Sequence, residues 1–146
     1  MSDCIFCKII HGEIPSYKVY EDEVVYAFLD ISQTTKGHTL LVPKTHVSDI
    51  FAYDEALAGQ VLARLPKVAK ALEAAFDQMG GLNIINNNRS LAYQTVFHSH
   101  WHLIPRYQEK ELDGFSMSFT NRMGQVPESD MQDLAQAIQA KIEEEA

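Results

Sequence analysis

Apolar residues recur at spacings of three and four between Asp54 and Met79, at Leu57, Val61, Leu65, Val68, Leu72 and Phe76. This period places them on one face of a helix, and it predicts that the segment is the main helix of the chain. Gly80 and Gly81 end the pattern. Pro66 lies inside it, so we expect a kink or a lost backbone hydrogen bond there.

Two shorter helices are predicted at the ends of the chain. Residues 4–10 form the first, which Gly12 closes. The second begins near Ser129, which has capping-box spacing to Gln132, and its apolar residues are Met131, Leu134, Ile138 and Ile142. We expect the acidic run after them to be solvated.

Several extended segments lie between these helices. Residues 17–20 and 24–30 are predicted to form a hairpin across the polar turn 21–23, and residues 39–42, 82–85 and 95–104 are further strands. Strands and helices do not alternate regularly, as they would in a doubly wound sheet. The predicted class is therefore α+β, with mostly antiparallel strands.

Composition narrows the class of protein. A chain of 146 residues has the size of one domain and can bury a core without disulfide bonds. Its net charge of -8 argues against a general nucleic-acid binder, although a nucleotide can still bind locally. No apolar run has the length of a transmembrane helix, and residues 1–4 lack the basic and apolar regions of a signal peptide. We expect a cytoplasmic protein with no membrane or nucleic-acid partner.

Three histidines, His98, His100 and His102, alternate within residues 97–105. In a strand they would share one face, where unpartnered imidazoles are costly if the strand is buried. A merely exposed or fortuitous cluster is therefore disfavoured. The outer two would lie about 13 Å apart along a straight strand, so one metal ion could bind all three only if the strand were bent. The remaining interpretation divides the roles among a nucleophile and neighbouring positioning or ligand groups.

The two cysteines form the motif Cys4-Ile5-Phe6-Cys7. In a reducing compartment it is a redox pair, half of a metal site, or two inert thiols. A redox pair would follow a strand, and the residues before Cys4 are too few for one. A closed zinc site needs about four ligands, so two histidines would have to join the cysteines.

The motif HSHWHLI at residues 98–104 resembles that of the histidine triad (HIT) family. The resemblance extends in order and spacing over residues 4–107, through CIFCKII at 4–10, GEIP at 12–15, AFLDI at 27–31, GHTLLVPK at 37–44 and QTV at 94–96. It implies a single HIT-like domain with a mostly antiparallel five-stranded sheet, one long helix and short terminal helices. Residues 108–146 would form a C-terminal extension. The implied protein is a homodimer that binds a purine nucleotide and attacks its α-phosphorus.

The resemblance implies catalytic roles for three histidines. His100 would be the nucleophile, forming a covalent nucleotidyl-histidine that water hydrolyses. His102 would hydrogen-bond a phosphate oxygen or the leaving group, and His38 would orient the nucleophilic ring. A neutral imidazole attacks phosphorus well if its other nitrogen has an acceptor, for which a backbone carbonyl or His38 is suitable. Thr95, backbone amides and a protonated His102 would stabilise the developing charge.

The resemblance also implies binding residues. Asn87 and Thr95 match positions at the phosphate or ribose, and Asp30 matches the carboxylate that holds the ribose hydroxyls. The other implied substrate-binding residues are Ile5, Phe6, Ile9, Ile14, Phe28, Ile31 and Gln94. In relatives with the CxxC motif, the resemblance implies a structural Zn²⁺ bound by Cys4, Cys7, His46 and His98, a closed Cys2His2 set.

The chain departs from the family pattern at Arg89 and Tyr93, where glycine is usual, and at Ser99, where an apolar residue is usual. Glycine serves where the backbone takes a positive φ or approaches a ligand closely. Arg89 could compensate by pairing with phosphate, and Ser99 is expected to face away from the site and find a local partner.

These observations predict a hydrolase of nucleoside monophosphate derivatives, such as adenosine 5'-phosphoramidates or acyl- or lysyl-linked adenylates. Dinucleoside polyphosphate hydrolysis is the enzymatic alternative. A nucleotide-binding or scaffold protein with little turnover is the alternative of another class.

Overall fold

The computed structural model describes residues 3–145, in two compact units, 3–115 and 116–145. The second unit contains helix α4 (Glu128–Glu145), which starts one position before the predicted Ser129. The first unit extends beyond the expected limit near residue 107 because Asp113 accepts hydrogen bonds from the Arg106 guanidinium at 2.8 Å and the Tyr107 amide at 2.9 Å. None of the helices among the described residues is long and apolar enough to cross a membrane.

The first unit is built on one antiparallel sheet of five strands, which confirms the predicted α+β class. The strands are β1 (Lys18–Glu21), β2 (Val25–Leu29), β3 (Thr39–Pro43), β4 (Gly81–Ile85) and β5 (Trp101–Arg106). Their order across the sheet is β1-β2-β3-β5-β4, and every neighbouring pair is antiparallel.

Alternating residues of the central strands supply two apolar clusters. In β2, Val25 and Ala27 belong to one cluster, whereas Tyr26 and Phe28 belong to the other. Helices α2 (Glu55–Leu62) and α3 (Leu65–Ala75) complete the first cluster with Val61, Leu65, Val68 and Leu72. Helix α1 (Ile5–Ile10) completes the second with Phe6 and Ile9. The two-residue period of the strands therefore gives the sheet a helix layer on each face.

The long helix predicted over residues 54–79 is divided, with α2 ending at Leu62 and α3 starting at Leu65. Pro66 explains the division, because it lies in the first turn of α3, where its missing N–H has no intrahelical acceptor to lose.

The prediction of a strand over residues 95–104 is wrong for residues 95–100. β5 begins only at Trp101, and its pairing with β3 ends there, opposite Leu41. The amide of Ser99 bonds instead to the carbonyl of Val47 at 2.7 Å, outside the sheet. Phe97, expected in a buried strand, is 53% exposed. His98 and His100 therefore precede the strand, and only His102 belongs to it.

Candidate active site and metal centre

A cavity of about 500 Å³ opens beside the start of β5. His100 and His102 line it, together with Asp30, which directly follows β2. Asn87 and Thr95 contribute from the loop between β4 and β5. The ends of neighbouring strands thus bring together residues that lie far apart in the sequence.

The His100 ring is held by the backbone. Its Nδ1 lies 2.8 Å from the carbonyl oxygen of His98, and the Asn86 side chain donates to the His100 carbonyl at 2.9 Å. Because only N–H can donate to a carbonyl, Nδ1 carries the proton and Nε2 keeps its lone pair. Burial lowers the pKa of His100 below its usual value, which favours this neutral form. The acceptor is therefore a backbone carbonyl, one of the two expected candidates.

The other expected candidate, His38, contacts His102 instead. His38 Nε2 lies 2.9 Å from His102 Nδ1 and 3.8 Å from Asp30 Oδ2. Burial lowers the pKa of His102 to about 4 and also lowers that of His38. The loss of hydration in this partly buried position therefore disfavours the expected protonated His102 near neutral pH. A proton on His38 Nδ1 would be buried without an acceptor among the described residues, so the His38 proton is assigned to Nε2. Nε2–H then donates to His102 Nδ1, and His102 keeps its own proton on Nε2.

Asp30 is held in an ionised form at the cavity wall. Burial raises the pKa of its carboxyl, but hydrogen bonds from the side chain and amide of Ser32 outweigh that effect, so the pKa lies below its usual value. Both Ser32 groups bond to Oδ1, at 2.7 and 2.8 Å. Oδ2 is therefore the oxygen free to accept a further hydrogen bond.

Most of the predicted substrate-binding residues line the cavity. They are Asp30, Asn87, Thr95, Ile5, Phe6, Ile9, Phe28 and Ile31, and further lining comes from Pro15, Ser16, Tyr17, Leu29, Leu40, Tyr93 and Val96. Two predicted residues do not line it. Ile14 packs against the apolar cluster of α1, and Gln94, buried to 3% exposure, bonds to the loop backbone.

The loop from Arg89 to Tyr93 has the backbone that the glycine pattern indicates. Arg89 has φ 72° and ψ 160°, and Tyr93 has φ 71° and ψ 21°. The Arg89 guanidinium lies 4.2 Å from the centre of the Phe51 ring and 3.5 Å from Asp49, outside the cavity lining. It does not compensate as a phosphate ligand in this arrangement. Tyr93 does line the cavity.

Cys4, Cys7, His46 and His98 form a separate cluster that can hold a metal ion. The Cys4 Sγ lies 3.4 Å from His98 Nδ1, the Cys7 Sγ lies 3.3 Å from His46 Nδ1 and 3.6 Å from His98 Nδ1, and the two imidazole Nδ1 atoms lie 3.1 Å apart. In a tetrahedral zinc site, sulfur and nitrogen ligands are separated by about 3.5 Å and two nitrogens by about 3.3 Å. The donor set and its spacing therefore fit such a site.

The protonation of the cluster also suits a cation. His98 Nε2 donates to the Pro43 carbonyl at 2.8 Å, which directs the lone pair of Nδ1 toward the sulfurs. Burial lowers the pKa of His98 to about 4, so the ring is neutral. Burial, followed by the neighbouring Cys4, raises the pKa of the Cys7 thiol to about 11. A bound cation would offset this cost by stabilising the thiolate.

Phe6 connects the two sites. Its ring packs edge-on against His98, with centroids 5.9 Å apart, and against His100 at 5.1 Å. Phe6 belongs to α1, whose N-cap is Cys4. A ligand that fixes α1 therefore also fixes the apolar wall beside His100.

Ser99 behaves as predicted, since its hydroxyl lies 2.9 Å from that of Tyr53 in the interior. Sequence reasoning missed Asn86 and the cavity wall at Ser16 and Tyr17. The amide run at residues 86–88 and the position of residues 16–17 directly after the GEIP motif were the available signals.

The HIT domain family matches residues 11–109. The protein named "Protein hit" from Bacillus subtilis is 47% identical over 140 residues, spanning 96% of this chain and 94% of the relative. An adenosine 5'-monophosphoramidase from Saccharomyces cerevisiae is 40% identical over 107 residues, spanning 73% of this chain and 65% of the relative.

Solved structures agree with these matches. A HIT family protein from Bacillus anthracis has a TM-score of 0.89 and 49% identity, covering 95% of this chain and 96% of that one. A zinc-bound histidine triad family protein from Mycobacterium smegmatis has a TM-score of 0.71 and 32% identity, covering 93% of this chain and 98% of that one. By its fold, its histidines and its similarity along most of its length, the chain belongs to the HIT family.

Proposed function

We propose that the protein hydrolyses nucleoside 5'-monophosphate derivatives, such as adenosine 5'-phosphoramidates or acyl-adenylates, through a nucleotidyl-His100 intermediate. The observation that carries this proposal is the bond from His100 Nδ1–H to the His98 carbonyl, which leaves Nε2 as a free lone pair at the cavity wall. A relative whose name describes an adenosine 5'-monophosphoramidase supports the substrate class.

In the first step, His100 Nε2 forms a bond to the α-phosphorus, and the bond from phosphorus to the leaving group breaks. Positive charge develops on the imidazole during this attack. The His98 carbonyl, 2.8 Å from Nδ1, stabilises that charge through its hydrogen bond. In the second step, water attacks the same phosphorus and loses a proton to solvent, while the bond from phosphorus to His100 Nε2 breaks. This releases the nucleoside monophosphate and restores the neutral ring.

His102 supplies a proton donor at the cavity wall. Its Nδ1 is occupied by His38 at 2.9 Å, so Nε2–H is the group that can bond to a phosphate oxygen or to the leaving atom. As a departing amine nitrogen or carboxylate oxygen gains charge, this hydrogen bond becomes stronger. His38 is thus a positioning residue that fixes the tautomer of His102.

The cavity favours a nucleoside monophosphate over a long phosphate chain. Asp30 is the charged residue of its described lining, which contains no lysine or arginine. A polyphosphate would bring several negative charges close to this carboxylate with no cation to balance them. A ribose, in contrast, can donate its hydroxyls to Asp30 Oδ2, and the base can pack among apolar residues such as Ile9 and Phe28.

A single-turnover experiment tests the reaction. Excess enzyme is mixed with adenosine 5'-phosphoramidate, and the chain is analysed by mass for one added adenylyl group. His100→Ala should lose the adduct and reduce turnover by about three orders of magnitude or more. His11→Ala is the matched control, because His11 is exposed and outside the cavity lining.

Two results would count against the proposal. An unchanged rate in His100→Ala would remove the assigned nucleophile. AMP binding by the wild-type protein without turnover of any phosphoramidate or acyl-adenylate would favour a nucleotide-binding protein. Diadenosine tetraphosphate in the same panel tests the alternative substrate class.

We further propose that Cys4, Cys7, His46 and His98 hold a structural Zn²⁺, supported by their donor spacing and by the zinc-bound relative. All four coordination positions would come from the protein, so the ion would fix α1 and take no part in the chemistry. Purified protein should contain about one equivalent of zinc, and Cys7→Ser should lose it. A zinc content well below one equivalent in folded protein purified without chelator would contradict this assignment.

A homodimer is proposed on the resemblance to the family and on an open sheet edge. β4 ends the sheet, and its Ile84 is 45% exposed. An exposed apolar edge strand is a common pairing surface. Light scattering should give twice the chain mass, and Ile84→Lys should lower the dimer fraction. A wild-type mass equal to one chain would contradict the dimer.

A further inference from the structure

Three donor groups outside the cysteine cluster also converge. His38 Nε2 lies 2.9 Å from His102 Nδ1 and 3.8 Å from Asp30 Oδ2, and the three atoms all lie within 4.8 Å of one another. No residue is shared with the first cluster. Asp30 directly follows β2, His38 directly precedes β3, and His102 belongs to β5.

The donor set suits a divalent transition-metal ion. Two imidazoles and one carboxylate are ligands that Zn²⁺ and Co²⁺ accept, and three protein ligands leave one position open. Asp30 is prepared for such a role, because its Oδ1 is held by Ser32 and its Oδ2 is directed toward His38. Hydrogen bonds of this kind orient ligating carboxylates in metal sites.

The spacing is close to that of a coordination sphere. Nitrogen and oxygen ligands of tetrahedral zinc are about 3.3 Å apart. The 2.9 Å between the two imidazoles and the 3.8 Å between His38 and Asp30 lie on either side of this value, and the third pair, His102 Nδ1 and Asp30 Oδ2, lies within 4.8 Å. An ion could therefore enter after small side-chain movements, without rearrangement of the strands.

Binding of an ion requires one proton to move. The proton that His38 Nε2 donates to His102 must shift to Nδ1 of the same ring, so that both facing nitrogens present lone pairs. His38 Nδ1 is buried, and no described group bonds to it. Because a buried N–H without an acceptor costs free energy, the ion should bind less tightly here than at the cysteine cluster.

We propose that Asp30, His38 and His102 form a second, exchangeable site for a divalent transition-metal ion, and that this ion and a nucleoside exclude each other. The exclusion rests on the proposed function, since it requires the ribose to use Asp30. Asp30 and His102 both line the nucleotide cavity, so the open coordination position would lie in the space that a substrate needs.

Cobalt spectroscopy tests the site on protein that already contains one equivalent of zinc. Added Co²⁺ should give a visible ligand-field band without the ultraviolet thiolate charge-transfer band, because its ligands contain no sulfur. Asp30→Ala and His38→Gln should each weaken this binding at least about tenfold. His11→Gln is the control for loss of an exposed histidine, and Cys7→Ser should remove only the first site.

Several outcomes would overturn the site. The site is refuted if the wild-type protein fails to bind a second equivalent at millimolar Co²⁺. It is also refuted if both Asp30→Ala and His38→Gln bind Co²⁺ as tightly as the wild type. Asp30→Ala keeps the test valid if His38→Gln fails to fold, because Asp30 is only half-buried and at the end of a strand. A thiolate band would show exchange at the cysteine cluster instead.

Adenosine is the probe for exclusion, since it lacks the phosphate that would itself chelate Co²⁺. It should lower the apparent affinity for the second Co²⁺ in the wild type. Adenosine that binds without displacing the ion would overturn the exclusion and leave the metal site intact. Adenosine and AMP that fail to bind the zinc-containing protein would overturn the proposed function, whereas the cobalt titration would still decide the metal site.

Discussion

Replacing Arg89 by glycine and by alanine separates backbone strain from side-chain contact. Arg89 has φ 72° and ψ 160°, a conformation that is almost confined to glycine. Both substitutions remove the contact with the Phe51 ring and the exposed ion pair with Asp49, so these losses cancel in the comparison. Only glycine releases the strain.

The expected difference follows from two opposing effects. A residue with Cβ in this region costs about 1–3 kcal/mol. Glycine loses more chain entropy than alanine on folding, which costs about 0.5–1 kcal/mol. The difference spans about 0–2.5 kcal/mol, so we expect the free energy of unfolding of Arg89→Gly to lie about 1 kcal/mol above that of Arg89→Ala.

Urea unfolding measures this difference. With a typical dependence of about 1–3 kcal/mol per molar urea, the midpoint of Arg89→Gly should lie about 0.5 M above that of Arg89→Ala. Lys70 is the matched control, because it is exposed and lies inside α3. At this helical position, Lys70→Ala should be more stable than Lys70→Gly by about 1 kcal/mol. An alanine variant at position 89 as stable as the glycine variant would refute the strain argument.

Three further predictions concern the loop, the proposed Zn²⁺ and a partly buried carboxylate. Gln94→Ala should lower the free energy of unfolding by about 2–3 kcal/mol in urea titrations. The Arg89 amide, which donates to Gln94 Oε1, and the carbonyls of Ser48 and Val96, which accept from Gln94 Nε2, would lose their partner. A change below about 0.5 kcal/mol would contradict this. If Cys4, Cys7, His46 and His98 hold the proposed Zn²⁺, a chelator should lower the Tm by several degrees in calorimetry, and Cys7→Ser should abolish this effect. Equal Tm values with and without chelator would exclude a stabilising ion. Burial raises the pKa of Asp22, but bonds from two backbone amides and the Arg64 guanidinium outweigh it and hold the pKa well below its usual range. Its contribution to stability is therefore present above the unfolded pKa of about 4 and is lost as the pH falls further. Between neutral pH and a pH of about 3, the free energy of unfolding should fall less in Asp22→Asn than in the wild type. If the two proteins lose the same free energy of unfolding over this range, the lowered pKa of Asp22 is contradicted.

Local patterns in the sequence predicted much of the fold. The spacing of Val61, Leu65, Val68 and Leu72 located the helical layer, and Pro66 marked the region where it divides. The family pattern has glycine at positions 89 and 93, and of the two reasons for glycine there, a positive φ and a close approach to a ligand, the structure shows the positive φ at both Arg89 and Tyr93. The helical period and the break at Pro66 depend on neighbours in the chain, so a single sequence contains that information, whereas the glycine pattern comes from the family resemblance.

Other features depended on distant partners. The alternation of three histidines predicted one shared strand face, but the strand begins only at Trp101 because the backbone before it bonds to Val47. His98 is thereby turned to the cysteines, whereas His100 and His102 line the cavity. Gln94 matched a substrate-binding segment, yet its buried amide holds the loop.

The sequence by itself determined the helix and strand periods and supplied imidazole and thiol side chains suited to phosphorus chemistry and to metal binding. The roles of the individual histidines and cysteines came from the resemblance to the HIT family. Only the tertiary structure decided which nitrogen of each imidazole is free. His98, His100 and His102 are the same side chain at the same spacing, but their partners are the Pro43 carbonyl, the His98 carbonyl and His38. An imidazole changes role according to the atom that occupies its other nitrogen. That atom is set by packing between segments far apart in the chain, which a local pattern does not encode.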